Sequence, residues 1–165
     1  MAYTVIRTDL MSGTKQPADI VSIRFYGSNS KPAEVENGTI VKLEGFDKGE
    51  REVMKAVAAT QSDNLGDCAI VAGVEVMYDE RKKNLDEFIN EAGKPTRAYI
   101  PRSRNMFSVT KEGFVGGKAP ELNAAVGIGE GGKINASGTG LGKCVEIETA
   151  GRYTYYTIKI DKTEV

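Results

Sequence analysis

Apolar and polar residues alternate in several short runs along the chain, and this period-two pattern predicts a protein built mainly of β-strands. The runs are rich in β-branched and aromatic residues and are bounded by Gly, Pro and Asn, as strands and their turns usually are. We predict strands over residues 20–26, 39–44, 68–74, 96–100, 106–110, 143–148 and 156–160. The last two form the clearest hairpin. The pattern as a whole indicates a mainly β fold, either a small β-barrel or a sandwich-like domain.

One segment carries a helical pattern instead. Four of its apolar positions share one face of a helix: Leu85, Phe88, Ile89 and Ala92. Asn84 can cap the first turn, with Glu87 reaching back to it, and Gly93 can end the last turn. The sequence therefore predicts one short helix over residues 84–92. Residues 50–59 fit either a helical face or the second arm of a hairpin, and periodicity does not decide between them.

The first 19 residues have no sustained period, yet they are too apolar for a purely disordered tail. Their larger apolar side chains are Tyr3, Val5, Ile6, Leu10 and Met11. We therefore divide the chain into an extended N-terminal arm with a lead-in strand, residues 1–34, and a β-rich domain, residues 35–165. We expect the arm to order on a neighbouring protein, by adding a strand or by laying apolar side chains in a groove. The alternative is an N-terminal strand that packs on the chain's own barrel.

The composition is that of a globular protein and excludes several kinds of site. The chain has 165 residues, of which 40% are hydrophobic and 27% charged, and its formal net charge is −1. It contains no His, which removes Ser–His and Cys–His catalysis, and its only two Cys, Cys68 and Cys144, cannot close a tetrahedral zinc site. We expect two reduced, buried thiols. We expect no catalytic residue, no metal, no cofactor, no signal peptide and no membrane-spanning helix.

Glycine is dense between residues 113 and 142, and one stretch there comes close to a phosphate-binding loop. Residues 127–133 have the spacing of a P-loop as far as Lys133, but Ile134 stands where a hydroxyl should hold magnesium. The residues that follow do not predict a helix, so no helix N-terminus would face a phosphate. We interpret this stretch as a flexible or tightly turning surface loop and not as a nucleotide site.

Residues 92–111 hold five cations and no acidic residue: Lys94, Arg97, Arg102, Arg104 and Lys111. Tyr99 and Phe107 are interleaved with them. The candidate partner interface comprises Arg97, Tyr99, Arg102 and Arg104, together with Tyr3, Val5, Ile6 and Leu10 of the arm. Arg and Tyr are favoured at the centres of protein interfaces, but the same residues could follow a phosphate backbone, stack a base or form a solvated face. The near-zero net charge favours a protein partner over nucleic acid.

Several segments between residues 35 and 160 follow one another in a characteristic order. They are Val-Glu-Asn-Gly-Thr-Ile-Val-Lys-Leu at residues 35–43, Gly-Glu-Arg-Glu-Val-Met-Lys-Ala at 49–56, Glu-Val-Met-Tyr-Asp at 75–79, Asn-Glu-Ala-Gly-Lys-Pro-Thr-Arg-Ala-Tyr at 90–99, Met-Phe-Ser-Val-Thr at 106–110 and the closing hairpin at 142–160. In pattern and order, the chain resembles a head decoration protein of tailed bacteriophages. Residues 1–34 are not part of the resemblance.

The resemblance implies a small β-rich protein without enzymatic activity. Such a protein is made in the host cytoplasm, binds the major capsid protein on the outer surface of the virion and stabilises the head. The resemblance favours a strand over residues 50–59 and leaves self-association open, including a trimer. We expect no cofactor and no membrane partner, and the near-zero net charge makes nucleic acid a less favoured partner than the capsid. The alternatives are a tail-tube or head–tail connector protein, and a small β-barrel that binds single-stranded nucleic acid.

Overall fold

The chain folds mainly into β-strands, as the alternating pattern predicts. The computed structural model describes residues 2–7, 19–79, 81–82 and 84–161. Strands make up 44% and short helical turns 10%, with no long helix in the described ranges, so the predicted mainly β fold with a barrel is confirmed. The strands are β1 (Ile6–Arg7), β2 (Asp19–Tyr26), β3 (Ile40–Phe46), β4 (Val53–Ala58), β5 (Cys68–Val71), β6 (Thr96–Ile100), β7 (Met106–Val109), β8 (Ala125–Ile128), β9 (Ile134–Asn135), β10 (Gly140–Ala150) and β11 (Tyr153–Ile160).

Five strands close into a barrel in the order β2-β4-β3-β5-β6, with β6 returning to pair with β2. The pair β2–β4 is parallel, and the other pairs are antiparallel. The segment 50–59, which periodicity left open, contains β4 and pairs with β3 as the second arm of a hairpin. A narrow barrel interior favours small and β-branched side chains. Such side chains form an apolar cluster, which we call the barrel cluster: Ile23, Val35, Val41, Ala56, Ala69, Val71 and Ala98.

The remaining strands form a six-stranded antiparallel sheet in the order β1-β7-β11-β10-β8-β9. Its inner face shares a second apolar cluster with residues of barrel strands β3, β5 and β6. The strand β5 contributes to both clusters. Ala69 and Val71 belong to the barrel cluster, and Cys68 and Ile70 belong to the cluster shared with the sheet. All four side chains are therefore buried, which explains an apolar run without alternation.

The predicted helix over residues 84–92 is wrong. Only Leu85–Glu87 makes a single 3₁₀ turn, and Phe88 already has extended backbone, with φ −82° and ψ 136°. Asn90 then pairs with Val35 in an isolated β-bridge. The Asn84 N–H does donate to Glu87 Oε2 at 2.9 Å, as the capping signal predicts. A helix of about nine residues is marginal by itself, so tertiary pairing decides the conformation after the first turn.

An ion pair on the barrel leads to a prediction about acid stability. Lys42 Nζ on β3 lies 2.7 Å from Asp63 Oδ1 in the β4–β5 connection. This contact, with hydrogen bonds from Thr60, lowers the pKa of Asp63 from 3.8 to about 2. A carboxylate whose pKa is lowered by folding stabilises the protein above the unfolded pKa, and this contribution is lost as the pH falls through about 2.

We therefore expect Asp63→Asn to be less stable than the wild type near neutral pH, with the difference closing as the pH falls from about 4 towards 2. Thermal melts of both proteins across this range measure the effect. Glu121→Gln, at an exposed carboxylate, serves as the control. A difference between Asp63→Asn and the wild type that stays constant over the whole range would contradict the assignment.

Candidate binding surfaces

A buried polar network fixes the long connection between β5 and β6. Asn37 Oδ1 accepts hydrogen bonds from the Gly73 N–H at 2.8 Å and from Asn90 Nδ2 at 2.9 Å. Asn90 Nδ2 also donates to the Val35 carbonyl at 2.9 Å, and Thr96 Oγ1 donates to Asn90 Oδ1 at 2.6 Å. Because buried polar groups are costly to leave unpaired, this network holds both ends of the connection against the barrel.

Residues 74–78, which we call the edge segment, follow this anchor and run along the surface. The side chains of Val74, Val76 and Tyr78 are 60%, 51% and 90% exposed, whereas those of Glu75 and Met77 are half-buried. The segment belongs to neither sheet. Within the described residues, the N–H groups of Glu75 and Met77 donate no main-chain hydrogen bond. A backbone with open donors and apolar side chains on one face is a typical docking edge for another strand.

A groove of about 460 Å³ lies beside the edge segment. Its lining includes Val74, Val76, Phe88, Ile89, Lys94 and Arg97. Lys94 Nζ lies 2.7 Å from Glu91 Oε2, and this contact raises the pKa of Lys94 and lowers the pKa of Glu91. Both side chains are exposed, so the pair contributes little to stability. On the inner side of the edge segment, burial raises the pKa of Glu75, and a hydrogen bond from the Asn37 amide opposes this rise.

Four cations gather at one end of the six-stranded sheet, which we call the basic end: Arg102, Arg104, Lys143 and Lys159. Lys143 on β10 and Lys159 on β11 stand directly opposite each other in the ladder, so their side chains share one face. The turn before β7 lies along the end of β11, where the Arg104 N–H donates to the Ile160 carbonyl at 3.0 Å. In the described ranges, no ion pair involves Arg104, Lys143 or Lys159. Like charges opposite one another are unfavourable in a sheet, so an acidic partner over this face would be stabilising.

The described members of the predicted partner interface lie in several different places. Arg97 is exposed at the groove, and Arg102 and Arg104 belong to the basic end. Tyr99 is only 7% exposed and packs in the cluster shared by barrel and sheet, and Phe107 beside the predicted cations is fully buried there. The arginines therefore remain candidates for a partner interface, whereas the two aromatic rings serve the core.

Residues 2–7 of the predicted arm belong to the chain's own sheet. Ile6 pairs with β7, and Val5 and Ile6 are only 1% and 6% exposed. Tyr3 is half-buried, and its N–H donates to the Asp86 carbonyl at 2.9 Å. Leu10 lies outside the described residues. The described part of the arm therefore takes the alternative form, a strand packed on its own domain, and β2 of the lead-in segment is a barrel strand.

The P-loop-like stretch contributes to the core at both of its ends. Ile128 is buried, Ile134 just after the stretch is fully buried, and within the turn Glu130–Gly132 only Glu130 and Gly131 are exposed, because Gly132 is buried. Lys133 Nζ donates to the Glu112 carbonyl at 2.9 Å. The lysine is thus engaged in the fold, and the interpretation of the whole stretch as a surface loop is corrected.

Sequence reasoning misses two parts of these surfaces. In the sequence, Val74, Val76 and Tyr78 alternate with Glu75 and Met77, but such a mostly apolar run also fits a buried strand. Only the neighbouring β6 and the network around Asn90 decide which face is covered. The pairing of Lys143 with Lys159 could not be found by counting back from the turn, which would place Lys143 opposite Ile160. A register shift between Cys144 and Glu146 moves the ladder by one residue and brings the two lysines together.

Comparisons with protein-family models, with curated proteins and with solved structures find no match to this chain. Within the part of the chain that the structure describes, no three His, Cys, Asp or Glu side chains are grouped closely enough to hold a metal ion. No helix in the described ranges is both long and apolar enough to cross a membrane. The two surfaces, an apolar edge segment and a basic end, have the chemistry to bind other protein chains.

Proposed function

We propose that this chain is a non-enzymatic structural protein of a tailed-bacteriophage virion, which binds the outer surface of the capsid lattice and stabilises the head. The resemblance of residues 35–160 to head decoration proteins supports the proposal. The observation that carries it is the basic end, where Arg104, Lys143 and Lys159 form no ion pair with the described residues. The partner is the major capsid protein.

An acidic patch on the capsid protein is the surface that the basic end fits. Arg104, Lys143 and Lys159 form no ion pair with the described residues, so they can gain favourable interactions with carboxylates without breaking one there. A carboxylate placed between Lys143 and Lys159 also relieves the repulsion between the two ammonium groups. Arg is enriched at the centres of protein interfaces, which suits the arginines of the adjoining turn.

Single-stranded nucleic acid is a weaker candidate for the same cations. Proteins that bind single strands combine a basic groove with aromatic side chains on which bases stack. The aromatic residues nearest in sequence to the arginines, Tyr99 and Phe107, are 7% and 0% exposed and offer no stacking face. A tail-tube or head–tail connector protein remains the alternative within the structural class, because a β-rich fold suits it equally.

Charge reversal at the basic end tests the proposal. We expect the double variant Lys143→Glu/Lys159→Glu to bind purified undecorated capsids at least about 10-fold more weakly than the wild type, because each reversal places like charges at the interface. Cosedimentation with capsids measures the affinity. The double variant replaces one like-charge pair by another, so the melting temperature of the free protein should change little.

The matched control reverses two exposed cations elsewhere, Lys48→Glu/Lys118→Glu, and should bind capsids as the wild type does. Equal binding by both double variants would contradict the role of the basic end. Negative-stain images separate the structural alternatives, since a decoration protein adds density to the outer head and a connector protein does not. Binding to single-stranded DNA that falls log-linearly and steeply with salt would favour the nucleic-acid candidate.

A further inference from the structure

We infer that the edge segment, residues 74–78, pairs with the same segment of a second copy of this chain, antiparallel about a twofold axis at Val76. The inference does not rest on the capsid proposal, and the two surfaces share no residue. Three features carry it: the open backbone of the segment, its alternating side chains and the distribution of its acidic residues.

The backbone offers the donors that this pairing needs. In an antiparallel pair centred on Val76, Glu75 faces Met77 of the second copy, and these two residues exchange N–H···O=C bonds while Val76 forms a non-hydrogen-bonded pair. The N–H groups of Glu75 and Met77 donate no main-chain bond within the described residues, and neither do those of Val74 and Tyr78, which form non-hydrogen-bonded pairs in this register. The Val76 N–H, which the pairing does not use, already donates to the Val74 carbonyl at 2.8 Å.

The side chains fit the same register. Residues directly opposite in an antiparallel pair share a face, so the exposed Val74, Val76 and Tyr78 form one continuous apolar row with their counterparts. Val76 lies opposite the second copy's Val76, and Val74 lies opposite the second copy's Tyr78. This placement brings the second copy's Tyr78 to the groove that Val74 lines, and buried aromatic rings are frequent anchors of protein interfaces.

The acidic residues exclude the neighbouring registers. A pair centred on Glu75 would place two Glu75 carboxylates opposite each other, and a pair centred on Met77 would place Glu75 opposite the second copy's Asp79. Like charges directly opposite are destabilising. Registers between these would set an exposed apolar residue against a half-buried one on the other face. Only the pair centred on Val76 keeps the apolar row together and the carboxylates apart.

The contact is small, because each copy contributes five residues. Interfaces below about 1,200 Å² belong to the weak and transient class. We therefore expect a dimer whose dissociation constant is about micromolar or larger. A test of this dimer therefore needs covalent trapping as well as a measurement of molecular mass in solution.

Cysteine trapping tests the register. The only native cysteines, Cys68 and Cys144, are both buried, so a cysteine introduced in the edge segment is the reactive one. Opposed Cα atoms in a non-hydrogen-bonded pair are about 4.5 Å apart, within the span of a disulfide. We expect Val76→Cys to form a disulfide-linked dimer on mild oxidation. Val74→Cys alone and Tyr78→Cys alone should not, because each residue is offset from its own counterpart by four positions, about 13 Å. An equimolar mixture of Val74→Cys and Tyr78→Cys should form the mixed disulfide.

Sedimentation velocity of the full chain gives the second measurement. Wild-type protein should shift from monomer to dimer as its concentration rises, and Val76→Lys should remain monomeric with an unchanged melting temperature. Leu122→Lys, at a similarly exposed apolar residue outside the segment, should dimerise as the wild type does. Equal crosslinking of all three single cysteine variants, or a wild-type monomer at every concentration, would overturn the inference. Protection of the Val76→Cys thiol by capsids alone would overturn it in favour of a capsid strand at this edge.

Discussion

The variant Gly132→Ala is expected to be less stable than the wild type by about 2–5 kcal/mol. Gly132 has φ +74°, a left-handed conformation that costs alanine about 1–2 kcal/mol. An added Cβ would also lie 2.2 Å from the Ile40 carbonyl oxygen. Ile40 is fully buried in β3, so the backbone has to shift, and such overpacking usually costs about 1–3 kcal/mol more. Urea unfolding of both proteins measures the difference.

The neighbouring Gly131 provides a matched control. It has φ +67°, and an added Cβ would meet no atom within 4 Å. Gly131→Ala should therefore show only the conformational cost, about 1–2 kcal/mol. Equal losses of stability in the two variants would mean that the close approach to β3 has no energetic weight.

Glycines of this kind also explain why the sequence does not show how much of the segment 113–142 packs against other strands. Glycine density indicates turns, and several turns are present, but other glycines serve close backbone packing. Gly127 and Gly138 approach so closely that a Cβ on Gly138 would lie 3.0 Å from the Gly127 Cα. A Cβ on Gly142 would lie 2.0 Å from the Lys159 carbonyl oxygen. Composition cannot separate a glycine needed for a turn from one needed for contact with a distant strand.

The strands were predictable because alternation is a local property. β2, β3, β6, β10 and β11 overlap the runs of β-branched and aromatic residues that the sequence singles out. Their partners were not predictable, since the parallel pairing of β2 with β4 and the closure of the barrel by β6 depend on contacts between distant residues. The helical stripe after Asn84 failed for the same reason, because Asn90 pairs with Val35 and with Asn37.

The candidate surfaces could be predicted only in part. The sequence identifies the cations of residues 92–111, but the fold separates Arg97 from Arg102 and Arg104 and adds Lys143 and Lys159 from the closing hairpin. The edge segment is exposed because no strand of the described chain covers it, and the absence of a neighbour has no local signature. Surfaces of this kind follow from topology more than from motif.

Removal of residues 2–7 is expected to lower the free energy of unfolding by about 3–6 kcal/mol, because burying Val or Ile contributes about 1.5–3 kcal/mol each. Val5 and Ile6 are both buried, and β1 is the edge strand that covers β7. The Val5 N–H donates to Thr110 Oγ1 at 3.2 Å, so the deletion also removes a buried hydrogen bond. Chemical denaturation of the free protein measures the loss.

The point variant Ile6→Ala, which keeps the backbone of β1, should by itself cost about 2–5 kcal/mol. Ile20→Ala is its matched control, since Ile20 lies in β2 with 53% of its surface exposed and should change stability by less than about 0.5 kcal/mol. The two roles considered for this segment give opposite results. A strand of the chain's own sheet destabilises the free protein when it is removed, whereas an arm that orders only on a neighbour would leave the free protein unchanged and weaken its attachment to capsids. Unchanged stability of both the deletion variant and Ile6→Ala would therefore support the role of residues 2–7 as a docking arm. We expect a loss of stability instead, because Ile6 packs in the cluster that joins the sheet to the barrel.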